Sequence, residues 1–155
     1  LWFTFILTLF LTAAFVVVMQ VWQFNVIDEM YIAADIKAHI AAMSPKQRTV
    51  HAWTTGTLDV AYPLCYGAFF IGVALKSFGR FGFVLALPSL LVIPVDLTEG
   101  FSQIMLLGGR DEYMGLKVIA TPLKLGLFGL GLVIALIGLA LMFFKFLKNR
   151  VAAQK

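Results

Sequence analysis

Four apolar runs set the frame of this chain: residues 1–27, 60–75, 81–95 and 125–144 contain no Asp, Glu, Lys or Arg. A helix that crosses a hydrocarbon core of about 30 Å needs about 20 apolar residues. The first and last runs reach that length unaided. The second and third do not, because at about 1.5 Å per residue they cover only about 24 Å and about 22 Å. To span, each must extend past a charge. At the tight 76–80 connection, extension is limited to snorkelling by Lys76 and Arg80. Extension the other way draws Asp59 into the second span, and Asp96 with Glu99 into the third.

The predicted fold is an all-α integral membrane protein, a four-transmembrane-helix bundle forming one membrane domain over residues 1–155. Its spans fall at about 1–24, 45–76, 80–107 and 111–148. In the first, Thr4, Thr8 and Thr12 recur every fourth residue, a spacing for helix packing through small hydroxyls. Residues 25–50 are the only sizeable polar segment, with an amphipathic part at 26–43. There Ile27, Tyr31, Ile36, Ile40 and Met43 repeat at helical spacing, with Asp28, Glu29, Asp35 and Lys37 interrupting. This predicts a short amphipathic helix on the membrane surface or over the bundle. Asp28 and Glu29 would sit near its N-terminus, where the helix dipole favours acids. Ser44-Pro45-Lys46-Gln47 reads as a helix start, with Ser as N-cap, Pro at N1 and Gln closing a capping box. Pro88 and Pro94 interrupt the third span and predict kinks. Asp111 is the expected cap of the fourth, whose Gly126, Gly129, Gly131 and Gly138 suit close packing.

Composition narrows the class. The chain is 61% hydrophobic and 13% charged, with a mean hydropathy of +0.95. The first run lacks a basic n-region and outlasts an h-region of about 7–15 residues, so it reads as a span rather than a cleavable leader. Cys65 is the only cysteine, which leaves no disulfide framework. His39 and His51 show no zinc-like spacing, and neither stands deep in a span opposite the other. No metal, haem or other cofactor is therefore expected. The formal net charge of +4 fits membrane flanks and gives no support to nucleic-acid binding. Lys76, Arg80, Lys145, Lys148, Arg150 and Lys155 share one side, against Lys37, Lys46, Arg48, Arg110 and Lys117. That balance predicts cytoplasmic N- and C-termini in the plasma (inner) membrane.

The charges inside the spans carry the candidate chemistry. Measured from the inner end of each helix, Asp59 stands about 25 Å up, Asp96 about 24 Å, Glu99 about 28 Å and Lys124 about 31 Å. His51, Thr55, Tyr62 and Tyr66 lie on or near the face of Asp59. Asp96, Glu99 and Gln103 follow i, i+3, i+7, and Lys117, Thr121 and Lys124 follow i, i+4, i+7. Polar stripes that face lipid are expensive, so these are expected to face one another around an outward-opening pocket. Three acids against one amine cannot all ionise in a poor dielectric.

The expected function is binding, with transformation or movement, of a small amphiphile or a proton-coupled cation. As an enzyme, the site would run acid/base chemistry on a lipid-like substrate, such as isomerisation or hydrolysis. Asp59 and Glu99 would then be the acid/base pair, Lys124 the electrostatic stabiliser and Asp96 the group that tunes them. The competing expectation is an accessory or assembly subunit, docking other membrane subunits or a second copy through its glycine-rich helix and amphipathic segment. Four spans in about 150 residues with a polar segment after the first resembles the membrane-bound glutathione transferase and leukotriene-synthase superfamily. Residues 48–59, RTVHAWTTGTLD, lack the asparagine and the helical arginine of that family's pattern, and membership is not assigned.

Overall fold

The computed structural model describes residues 1–23 and 25–152, and every regular element among them is helical. Helix α1 is Trp2–Trp22, α2 Ala33–Ala42, α3 Pro45–Ser77, α4 Gly82–Leu107 and α5 Met114–Ala152. Single 3₁₀ turns at Gly79–Phe81 and Asp111–Tyr113 lead into α4 and α5. Four of the helices are long and apolar enough to cross a membrane: α1, α3, α4 and α5. Their outer surfaces match that property. Trp2 and Phe3 on α1, Phe83 on α4 and Phe144 on α5 are each more than 60% exposed.

Local signals fix the helix ends. Ser44 caps α3 by accepting from the Gln47 amide, while the Gln47 side chain accepts from the Ser44 amide, which completes the capping box. The same Gln47 donates Nε2–H to the Gln23 carbonyl at 2.9 Å, tying the start of α3 to the end of α1. Gln23 ends α1 in the left-handed conformation, φ 48°. At the other end of the bundle, a Cβ on Gly82 would meet the Ala74 carbonyl oxygen at 2.8 Å. Only glycine lets α4 begin that close to α3. Pro63, Pro88, Pro94 and Pro122 all lie inside helices, which continue through them.

Helix α3 is central, packing against α1, α4 and α5. Two apolar layers flank a polar one along it. Near the 77–81 turn, Tyr66, Phe69, Phe70, Val73, Val92 and Ala135 form an aromatic core. Gly131 and Gly138 of α5 seat against it, where added Cβ atoms would lie 2.6 Å from Ser89 Oγ and Val73 Cγ1. Near the 25–43 linker, Ile27, Ile36, Met43, Leu106, Leu107 and Met114 form the second core.

Four expectations need correction. The amphipathic segment is helical only over Ala33–Ala42, because residues 25–32 turn inward and bury Ile27 fully. Asp28 and Glu29 therefore do not sit at a helix N-terminus, and the acid in the first turn of α2 is Asp35. Asp111 does not cap α5 either; it opens the 3₁₀ turn and pairs with Lys37 at 2.7 Å on the surface. Gly126 and Gly129 meet no neighbour within 4 Å, so only Gly131 and Gly138 provide close packing. Beside these corrections, Thr4, Thr8 and Thr12 of α1 donate to carbonyls three or four residues earlier in their own helix. Thr12 also donates across to α3, at 3.4 Å from the Tyr62 hydroxyl.

Candidate functional site

The polar layer is assembled from three helices and the linker. Helical spacing puts Asp96, Glu99 and Gln103 on one face of α4, and Lys117, Thr121 and Lys124 on the face of α5 turned toward it. Helix α3 adds Thr55, Asp59, Tyr62 and Tyr66, and the inward turn of the linker adds Asp28.

Glu99 is fully buried and both of its oxygens are engaged. Oε1 accepts from Lys117, from Gln103 at 2.7 Å and from Thr121 at 3.1 Å, while Oε2 accepts from Lys124 at 2.9 Å. Lys117, also fully buried, donates further to Thr121 Oγ1 at 3.0 Å and to the Asp28 carbonyl at 3.2 Å. Lys124 Nζ sits among three carboxylates: Asp28 at 2.7 Å, Glu99 at 2.9 Å and Asp96 at 3.3 Å. Asp96 takes a second support from the Tyr66 hydroxyl, which donates at 2.7 Å. Such density is what buried ions require, because an ion stripped of water is tolerated only with paired charge and filled hydrogen-bond capacity.

Asp28 sits at the mouth of this layer. Burial raises its carboxyl, but Lys124 beside it, with Gln103 and Lys117, holds it below the ordinary 3.8.

Asp59 stands apart. One carboxylate oxygen from each of Asp28, Asp59, Asp96 and Glu99 lies within 4.8 Å of the others. Yet among the described residues Asp59 makes no hydrogen bond and no ion pair. It is half-buried and borders three cavities. One, of about 160 Å³, is walled by Phe15, Val16 and Val26 and reaches Thr55 and Gln103. A second, of about 250 Å³, lies among Tyr62, Tyr66, Phe128 and Lys124. A third, of about 220 Å³, runs between α3 and α4 past Gly100.

The structure thus brings together Asp59, Asp96, Glu99, Lys124, Gln103, Thr121, Tyr66, Tyr62 and Thr55. His51 is fully buried on α3, about two turns from Asp59 and toward the linker core. Two further members join them. Lys117, counted among the flanking charges for orientation, belongs to the stripe that its spacing with Thr121 and Lys124 indicates. Asp28 had no such signal, since its place depends on a non-periodic turn. With both included, four carboxylates face two amines, a formal charge of −2 when all are ionised.

The four acids also raise the question of a metal. Three of them already surround Lys124 Nζ, so an amine holds the position a cation would take between Asp28, Asp96 and Glu99. Comparison with protein-family models, curated proteins and solved structures finds no match to this chain.

Proposed function

We propose that the chain is an integral membrane protein whose polar layer forms a binding pocket for a small amphiphile, with Asp59 as the group that meets it. The observation that carries this reading is the contrast within the cluster. Glu99, Lys117 and Lys124 satisfy one another, whereas Asp59 fronts three cavities with no bonded partner. An apolar wall on one side and fixed charge on the other suit a ligand with a tail and a polar head. If the ligand is transformed, Asp59 is the acid/base group, Lys124 the electrostatic stabiliser and Asp96 the group that tunes them. Glu99, saturated by two lysines, then serves as their counter-ion. Termini in the cytoplasm remain the favoured orientation. With Lys117 buried, six basic residues stand against four on the flanks.

Photolabelling tests the pocket. A diazirine-bearing fatty alcohol in phosphatidylcholine nanodiscs should label Phe15, Val16 or Tyr62, and Val16→Trp should suppress that label. Labelling confined to outward surfaces of α1 and α5, unchanged by Val16→Trp, would defeat the reading.

A second reading, an accessory subunit, is favoured by Gly126 and Gly129, which leave room for another helix against α5. In that case Gly126→Leu should release a co-purifying membrane protein while leaving the monomer folded.

A further inference from the structure

We infer that the head group bound at Asp59 is an organic primary ammonium, so that the ligand is a single-chain cationic amphiphile. The inference rests on the pocket reading above and adds the chemistry of the head. Two unmet acceptors carry it. Among the described residues Asp59 makes no hydrogen bond or ion pair, although it borders the cavity walled by Phe15 and Val16. Gln103 lines the same cavity, is only 1% exposed, and its Oε1 has no hydrogen-bond partner among the described residues. Its orientation is fixed. Nε2 faces the Asp28 and Glu99 oxygens at 2.9 and 2.7 Å, and ionised carboxylates only accept, so the amide cannot turn over.

Gln103 Oε1, a buried acceptor left unmade, costs about 1–3 kcal/mol, and Asp59 is an open carboxylate on the same cavity, so the site favours a ligand that donates. Four carboxylates against two amines favour a positive head, whose own charge would let Asp59 ionise among its acidic neighbours. A primary ammonium meets both conditions with three N–H donors. A carboxylate or phosphate head would add charge of the wrong sign. A metal ion at Asp59 would need several carboxylate oxygens. One oxygen each of Asp28, Asp96 and Glu99 is turned to Lys124, and the second oxygens of Asp96 and Glu99 accept from Tyr66 and from Lys117 and Gln103. Aromatic rings complete the setting. Tyr62, Tyr66 and Phe128 line the neighbouring cavity with Asp59, in edge-to-face pairs at 5.3 and 5.0 Å. Ring faces attract ammonium groups. The wall of Phe15, Val16 and Val26 offers the tail an apolar path from the cavity along α1.

The test compares wild type with Asp59→Asn in phosphatidylcholine nanodiscs near pH 7, so that partition into the bilayer cancels. Saturation binding of radiolabelled dodecylamine is competed with unlabelled dodecanol and with butylamine. Dodecylamine should bind wild type about tenfold or more tighter than either competitor, the scale of a hydrogen bond to a charged group. Asp59→Asn should abolish that preference and Asp59→Glu restore most of it. Dodecanol competing as well as dodecylamine would overturn the ammonium head and leave the amphiphile pocket standing. Butylamine competing equally would do the reverse, retaining the ammonium and removing the tail. Absence of saturable binding by a folded, monodisperse wild type would overturn both. A loss in Asp59→Asn counts only if its melting temperature is retained. If it is not, equal dodecylamine and dodecanol affinities in wild type decide against the inference.

Discussion

The two halves of the bundle spend their buried volume differently. Toward the 77–81 turn, α3, α4 and α5 meet through rings, small residues and helix backbone: Phe70, Val73, Val92, Gly131 and Gly138. Toward the linker, the same three helices meet through two lysines, three acids and an amide, with Asp28 laid over them. The first arrangement is close-packed and holds through dispersion, so it answers to changes of volume rather than of charge. The second tolerates no missing partner, because each ion left alone in a poor dielectric retains its desolvation cost. Within the polar half there is a further division. Glu99, Lys117 and Lys124 are saturated, and Asp59 is not. Structural locks close their own hydrogen-bond accounts, whereas a group kept for a ligand is left with capacity.

The largest effect should follow from breaking the lock. Glu99→Ala leaves buried Lys117 without a carboxylate and takes one of three from Lys124, and should cost about 3–5 kcal/mol in reversible unfolding. Replacing Glu99 and Lys117 together by Leu should recover part of that loss. A single variant costing under about 1 kcal/mol would show that water reaches the site freely. The aromatic half should respond to bulk rather than charge. At Gly138 even a Cβ would lie 2.6 Å from Val73 Cγ1, so Gly138→Leu should destabilise by about 1–3 kcal/mol. A thermal scan in which that variant matched wild type would mean that α5 shifts away without penalty.

Asp28 should give a smaller and pH-dependent effect. Its carboxyl is lowered from 3.8 in the folded protein, so its contribution is complete above that value. It is lost as pH falls through the lower native value. Asp28→Asn should cost about 1–2 kcal/mol at neutral pH, and the gap to wild type should close in strong acid. A gap that stayed constant from neutral to acid pH would contradict the pairing with Lys124. The smallest change in stability is expected at Asp59. Asp59→Asn removes no hydrogen bond or ion pair within the chain and should alter unfolding by no more than about 0.5 kcal/mol. A loss comparable to that of Glu99→Ala would place Asp59 in the lock and erase the distinction between the two acids.

Much of this was legible from the chain. The lengths of the apolar runs located the long helices. The shortness of the second and third runs pointed to Asp59, Asp96 and Glu99 as charges drawn into otherwise apolar helices. The Ser44–Gln47 spacing marked where α3 starts. Heights counted along the helices brought Asp59, Asp96, Glu99 and Lys124 to one level, and in the structure the acids crowd within 4.8 Å. Lys124 could equally have lain at an interface on sequence grounds, but its side chain is 6% exposed. The linker was the failure. Apolar periodicity in 26–43 follows residues that are indeed buried, Ile27, Ile36 and Met43, yet only ten of the residues there are α-helical.

Periodicity and the cost of an uncompensated charge are properties of a single helix, so the sequence by itself determined which helices form and which of their residues seek company. Partner choice is a property of several helices at once. Whether Glu99 or Asp59 receives the two amines depends on the rotation of α4 and α5 and on the path of a linker without repeat. The tertiary structure alone decided that Lys117 and Lys124 close on Glu99, that Asp28 joins them, and that Asp59 is left facing the cavities. Hydrogen-bond geometry acts over about 3 Å, and chain spacing does not resolve positions that finely across separate helices.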